Sequence, residues 1–433
     1  MTTVSAQWVD PESVLAAVTA THDRVFWLDG GGSRDWAGRL SYLGWLEPGE
    51  PSLVHDAATR TVVECDGHSE RVVGEDIFEV LDRRTTAPEG RGGFGGWVGY
   101  LGYACRPDLP ARVDPDGPPD AVWMRVGRYA VFDHVHRTVR LHGIESLPSS
   151  PLPCTGDLPA VTAVGPSYDD YRAAFDRVQA ELRAGNSYET NLTYRVEVTS
   201  AADPVAVYLR LRRLNRAPYA AFLRHRGVSL LSSSPERFVT IGPGGVIETR
   251  PIKGTTERSD DPAVDRRNRD LLRTDPKFRA ENLMVVDLLR NDLSTVCEVG
   301  SVVVPDLMHV ESYPRVHQLV TTIRGRLRAD VSGVRAVQSL FPGGSMTGAP
   351  KLRTMQIIGE VETSARGVYS GALGWIGDDG RADLGVVIRT LVHRGSAYSL
   401  GTGGAITVRS DPKEEYAESR WKAERLLGAL TGT

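Results

Sequence analysis

Cysteine is scarce in this chain, with four residues among 433, at positions 65, 105, 154 and 297. None has the C-x-x-C spacing of a zinc site, and residues so far apart do not frame a disulfide scaffold. Basic clusters are also missing. The net charge is -4 and the lysines and arginines are dispersed, so the cationic stripe by which nucleic-acid binders neutralise phosphates is absent and no nucleic-acid partner is expected. No apolar run approaches the ~18 residues of a membrane span. The opening MTTVSAQWVDPESV has no basic segment leading into an apolar one. The expectation is a cytoplasmic protein in a reducing compartment, with no membrane partner. No internal repeat occurs, and no glycine-rich stretch has the spacing of a Walker or dinucleotide loop. What is present is 41% hydrophobic content, enough for a large core that folds without staples.

The main compositional break is SLPSSPLPCTGDLPAVTAVGPS, with prolines at 148, 151, 153, 159 and 166, which reads as a linker. It divides the chain into an N-terminal lobe at 1–147, a linker at 148–167 and a larger domain at 168–433. In the first lobe, GRGGFGGWVGYLGYACR interleaves glycines with Phe94, Trp97, Tyr100 and Tyr103, a mixture suited to backbones that approach closely in a packed sheet. After the linker, Ser167 reads as the cap of a helix that stops at Gly185. Strands are expected in YETNLTYRVEVT, YAAFLRH, VSLLSSSP, RFVTIG, VYSGALGWIG, ADLGVVIRTLVHR and AYSLGTGGAITVR, and a final helix begins after Asp411. Adjacent strands separated by helices imply an α/β (α+β) body with a mostly antiparallel sheet and helices outside.

Several segments carry chemistry. In TRPIKGTTER, Ile247, Thr249, Pro251 and Lys253 fall on one face of a strand, with Gly254 as a stop. Lys253 then stands at the mouth of an element, and reads either as a snorkelling surface lysine or as a group that meets a ligand. KFRAENLMVVDLLRNDL is an amphipathic helix on which Glu281 shares the apolar stripe with Met284, Val285 and Leu288. A carboxylate so placed needs an arginine partner or a hard cation such as Mg2+. In the last helix Glu418 and Lys422 stand four apart, the spacing of a simple exposed ion pair. Two stretches can bind anions or be plain turns: Thr347 as the cap of a helix starting near Pro350 and Lys351, and glycines 401, 403 and 404 as a nest of backbone N–H groups.

Eight segments occur in a characteristic order: SSSPERF, TRPIKGT, AENLMVVDLLRNDL, GSMTGAPK, GVYSGALGW, VVIRT, GTGGAIT and EEYAESRWKA. Together they resemble the chorismate-utilising enzymes, over roughly residues 168–430, and the first lobe resembles the smaller lobe of anthranilate synthase component I. The resemblance implies that two-lobed fold. Within the family, PIKGT resembles aminodeoxychorismate synthase component I, whereas anthranilate enzymes have an alanine at the position of Lys253.

That resemblance implies Mg2+-dependent amination of chorismate at C4 by ammonia, through a covalent adduct of Lys253 at C2. Glu236 matches the general acid for loss of the C4 hydroxyl. Glu281 and Glu418 match the Mg2+ ligands, with Glu415 supporting them. Gly254, Thr255, Thr347, Tyr369, Arg389, Lys422 and the Gly403, Gly404 and Ala405 backbone match positions that hold the substrate. An attacking amine must be neutral, and burial together with Arg250, Arg258 and a metal ion is expected to lower the Lys253 pKa.

The chain also departs from the pattern. Gln318 stands where anthranilate enzymes have a histidine, with His317 one before. Glu189 stands where many relatives have glutamine and isochorismate enzymes have a water-activating lysine, which disfavours water addition. LDGG at 28–31 and PYA at 218–220 differ from the stretches that bind tryptophan in relatives. No cysteine sits in the glycine-flanked elbow of a glutaminase, and none is expected to be fused within 433 residues. Ammonia is therefore expected free or from a separate glutamine amidotransferase subunit.

Overall fold

The period of two along each strand builds the body. In Arg24–Asp29, Val25 and Trp27 pack to one side beneath outer helices, while Phe26 faces the opposite core with Val98, Tyr100 and Leu373 of a second sheet. The same alternation separates Leu230 from Leu231. The result is four layers: helices, a sheet, a second sheet and helices again. The computed structural model describes residues 3–30, 38–85, 94–153, 161–313 and 315–432.

Among these residues each sheet has 12 strands, and all pairings are antiparallel. The expected fold class is the one observed. The N-terminal strands form one end of each sheet. Arg24–Asp29 pairs with Tyr219–His225 in one sheet, and Gly96–Leu101 with Ala372–Ile376 in the other. The division at 148–167 therefore follows the chain while both sheets run across it. Part of that segment is itself a strand, Thr162–Val164, paired with Glu189–Thr199. Cys154 and Pro159 lie outside the described residues, as do Gly90–Gly93 of the glycine cluster. The rest of that cluster meets the close-approach expectation, since a Cβ on Gly99 would lie 1.9 Å from the Val122 carbonyl oxygen. Helix Tyr168–Arg183 starts at Ser167 with reciprocal bonds between Ser167 and Asp170.

Four local expectations are corrected. ADLGVVIRTLVHR is not one strand. Ala382–Val386 belongs to one sheet and Thr390–Arg394 to the other, and the chain crosses between them at Arg389, where φ is 51°. The glycines of GTGGAIT are not a nest but lie inside the regular strand Ala397–Ile406. They are small because of what they face, as a Cβ on Gly401 would meet the Tyr369 ring at 2.2 Å. Thr347 does not cap the next helix, Lys351–Val361, whose cap is Pro350. Its hydroxyl donates back to the Gly343 and Gly344 carbonyls. In TRPIKGTTER, Pro251 separates two strands, and Gly254 is no stop but a bulge within Ile252–Glu257. Its φ of 96° requires glycine.

One buried cluster ties the segment before helix Lys351–Val361 to the sheet. Arg366 donates to the Met346 and Asn191 carbonyls and to Glu362, whose carboxylate also accepts from the Thr193 N–H and hydroxyl. Replacing Arg366 with alanine leaves Glu362 buried and uncompensated. It should lower stability by about 3–5 kcal/mol, read as a shift of the urea midpoint at unchanged slope.

Candidate active site

The site lies where the chain passes from one sheet to the other. Val228–Ser234 is in one sheet and Arg237–Ile241 in the other, so Pro235 and Glu236 form a crossover. The second crossover, ending at Arg389, runs beside it. The Val386 N–H donates to the Glu236 carbonyl and the Ser233 N–H to the Arg389 carbonyl, each at 3.0 Å. An acid and a cation are thus fixed by backbone at the same seam. A cavity of about 670 Å³ opens there, closed by helices Pro276–Ser294 and Pro412–Thr431.

Lys253 reaches this cavity from its strand and is only 7% exposed, so it is not a snorkelling surface lysine. Its ammonium donates to Glu189 Oε1. Glu189 comes from the facing sheet, where Glu189–Thr199 pairs with the glycine strand. The expected downward pKa shift is not found. Burial opposes the charged amine, but the carboxylates of Glu189, Glu281 and Glu236 outweigh it and hold the Lys253 pKa above its ordinary value. Arg250 and Arg258 are engaged elsewhere, Arg250 with Glu311 and Arg258 with Asp265.

The acids are tuned by place. Burial raises the Glu236 pKa to about 7, against the hydrogen bond from Ser345 and the charge of Lys253. A carboxyl at that value is protonated for a substantial fraction of the time near neutrality, which suits a proton donor. Glu281 is also raised to about 7, mainly by burial. Glu415 is raised by burial, while at Glu418 burial is outweighed by the Lys422 ammonium, 2.7 Å away, together with the charges of Lys277 and Arg389, which hold it low. Glu281 on one helix and Glu415 and Glu418 on the other line the same wall.

No group of three or more His, Cys, Asp or Glu among the described residues is close enough to enclose a metal. Glu281 and Glu418 nevertheless line the same cavity from two helices, and carboxylates beside space for waters and substrate oxygens fit a hard divalent cation. The raised Glu281 carboxyl is a group that such a cation would relieve of its burial penalty.

The same cavity also carries groups that favour anions. Arg389 makes no ion pair among the described residues and lies 5.7 Å over the Trp421 ring. Burial, and then the charge of Arg425, lowers its pKa to about 10, leaving it cationic at neutral pH. Gly254 and Thr255 line this space with Tyr369, whose ring is covered by the Arg195 guanidinium at 4.4 Å. Gly403, Gly404, Ala405 and Lys422 also line it, and the Lys422 ammonium donates to the Gly403 carbonyl at 2.9 Å. Thr347 is the exception among the expected substrate residues. It is fully buried, and its neighbours Ser345 and Met346 line the cavity instead.

Gln318 faces the cavity and His317 points away, bonded to Ser312 and Asp265, as the alternation of a strand requires. Sequence reasoning missed Lys277, which pairs with Glu415 at 3.4 Å. Its position four residues before Glu281 was the available signal. LDG of LDGG and PYA line a separate cavity of about 330 Å³, with Gly31 outside the described residues. No helix among the described residues is long and apolar enough to cross a membrane.

Known proteins resemble this chain in sequence and in fold. Residues 42–428 match the chorismate binding enzyme family. The chain is 39% identical to an aminodeoxychorismate synthase of Streptomyces pristinaespiralis, over 97% of this chain but only 64% of that protein's length. It is 36% identical to aminodeoxychorismate synthase component 1 of Escherichia coli K12, covering 88% of this chain and 86% of that one. Its fold resembles anthranilate synthase component I of Streptococcus pneumoniae with a TM-score of 0.78 at 24% identity, over 91% and 93% of the two chains. A match over residues 42–428, which include strands of both sheets and the residues that line the cavity, shows that the chain belongs to the chorismate binding enzyme family.

Proposed function

We propose that this chain aminates chorismate at C4 with ammonia to give 4-amino-4-deoxychorismate, as the component that carries the chorismate chemistry. The observation that carries the reading is Lys253, a buried primary amine in a cavity that it shares with Glu236, Glu281 and Glu418 and with Arg389, which makes no ion pair among the described residues. The names of the Streptomyces and Escherichia coli relatives support the activity. The words "component 1" in the latter support a partner, for which a separate glutamine amidotransferase is the natural ammonia source.

In this reading the neutral Lys253 amine attacks C2, the ring double bond shifts, and the C4–O bond breaks. Glu236 passes its proton to the departing oxygen, which leaves as water. Ammonia then adds at C4, the electrons shift back, and the C2–N bond breaks to release the lysine. The added nitrogen returns a proton to Glu236. Arg389 grips a substrate carboxylate with its planar fork. Glu281 and Glu418, supported by Glu415, would hold Mg2+, which when bound offsets the charge of the C1 carboxylate and eases departure of the C4 hydroxyl.

Glu236→Gln cannot donate the proton, and should lower kcat by between about 10² and 10⁴-fold. In the unaltered protein kcat/KM should fall as pH rises through about 7, where Glu236 loses its proton. The glutamine variant should lack that fall. A variant with the original alkaline limb would assign it to another group.

A further inference from the structure

We infer that Glu189 is the base that takes the ammonium proton of Lys253 as the amine attacks, and returns it when the lysine is expelled. The inference rests on the reading of Lys253 as the nucleophile. Lys253 begins as an ammonium, and an ammonium has no electron pair with which to attack. Its proton needs an acceptor that is already in contact, because amine and surroundings are almost closed to solvent.

Among the described residues the carboxylates that act most on Lys253 are Glu189 from the opposite sheet, Glu281 from helix Pro276–Ser294 and Glu236 from the crossover. Glu236 is committed to giving a proton to the leaving oxygen, so it cannot also receive one before that step. Glu281 lies on the wall assigned to the cation. Glu189 alone has the Lys253 ammonium as a hydrogen-bond donor. The two side chains are 2% and 8% exposed. The other oxygen, Oε2, is buried and has no hydrogen-bond partner among the described residues, so nothing on that side competes for the carboxylate's basicity. Its backbone is held by the Gly348–Ala349 bridge and by the Ser187 hydroxyl, which donates to the Glu189 carbonyl.

The step balances. The N–H bond of the ammonium breaks and an O–H bond forms on Glu189, the freed pair makes the C2–N bond, and the C4–O pair leaves as water with the proton from Glu236. When ammonia has added at C4, the C2–N pair returns to the lysine and Glu189 reprotonates it. A glutamine at this position would orient the amine but could not take its proton.

The test is the pH profile of kcat/KM for chorismate with both Mg2+ and free ammonia saturating at every pH. Proton transfer within the pair leaves its net charge unchanged, so the unaltered protein should be flat below the Glu236 value of about 7. Glu189→Gln should be slower and should rise about tenfold per pH unit over the same range, because its lysine must lose the proton to solvent. Glu189→Asp, which keeps a base, should keep the flat profile at a reduced rate. If Glu189→Gln gave a flat profile displaced downward at every pH, Glu189 would only position the amine and the inference would be overturned. If Lys253→Ala kept the original rate and product, the nucleophile reading would fall and this inference with it.

Discussion

Lys253→Ala is expected to lower C4 amination by at least about a thousandfold, the scale on which removing a nucleophile acts in enzymes that work through covalent intermediates. The residual product should shift toward attack at C2, because the position that the lysine would occupy is then open to ammonia. The fold should tolerate the change poorly in one respect: Glu189 loses its buried ammonium partner, at a cost of about 3–5 kcal/mol. Lys253→Met, similar in length and without charge, controls for cavity formation. Both variants should lose the adduct at Lys253 in peptide mass spectra of protein quenched during turnover. A variant that aminates C4 at the original rate would remove the lysine from the chemistry.

Replacing Glu281 or Glu418 with alanine is expected to weaken Mg2+ affinity on the order of a hundredfold, at least the cost of disturbing groups that merely support a metal's ligands. The two should differ with pH. Glu281 must lose a proton held up to about 7 before it can bind a cation, so Mg2+ affinity in the unaltered protein should rise with pH toward 7. That rise should vanish in Glu281→Ala. Glu418 is already held ionised by Lys422, so Glu418→Ala should weaken affinity while leaving the pH trend. Mn2+ binding followed by electron paramagnetic resonance reads affinity without turnover, and unaltered binding in both variants would displace the metal from this wall.

Much of the site was legible because its residues obey simple periods. The period of two put Lys253 on the buried face with Ile247 and Thr249, and the helical period put Glu281 with Val285. Caps at Ser167 and Asp411 were equally local. What failed depended on tertiary placement. VVIRTLVHR has an unbroken strand composition, and nothing local marks Arg389 as the point where it changes sheets. The glycines of GTGGAIT look like a loop until Tyr369 and the facing strand show why a Cβ has no room. The Lys253 pKa was misread in direction because nearby arginines in sequence pair elsewhere, while the carboxylates that face the amine come from positions 189, 236 and 281. Sequence distance concealed the charges that matter most.

The most direct test of the central claim is the product formed from chorismate, ammonium and Mg2+ by the unaltered protein, analysed with and without an added lyase. The account predicts a non-aromatic C4 amine, with 4-aminobenzoate appearing only when the lyase is present. Formation of 2-aminobenzoate as the sole product, without a lyase, would contradict it.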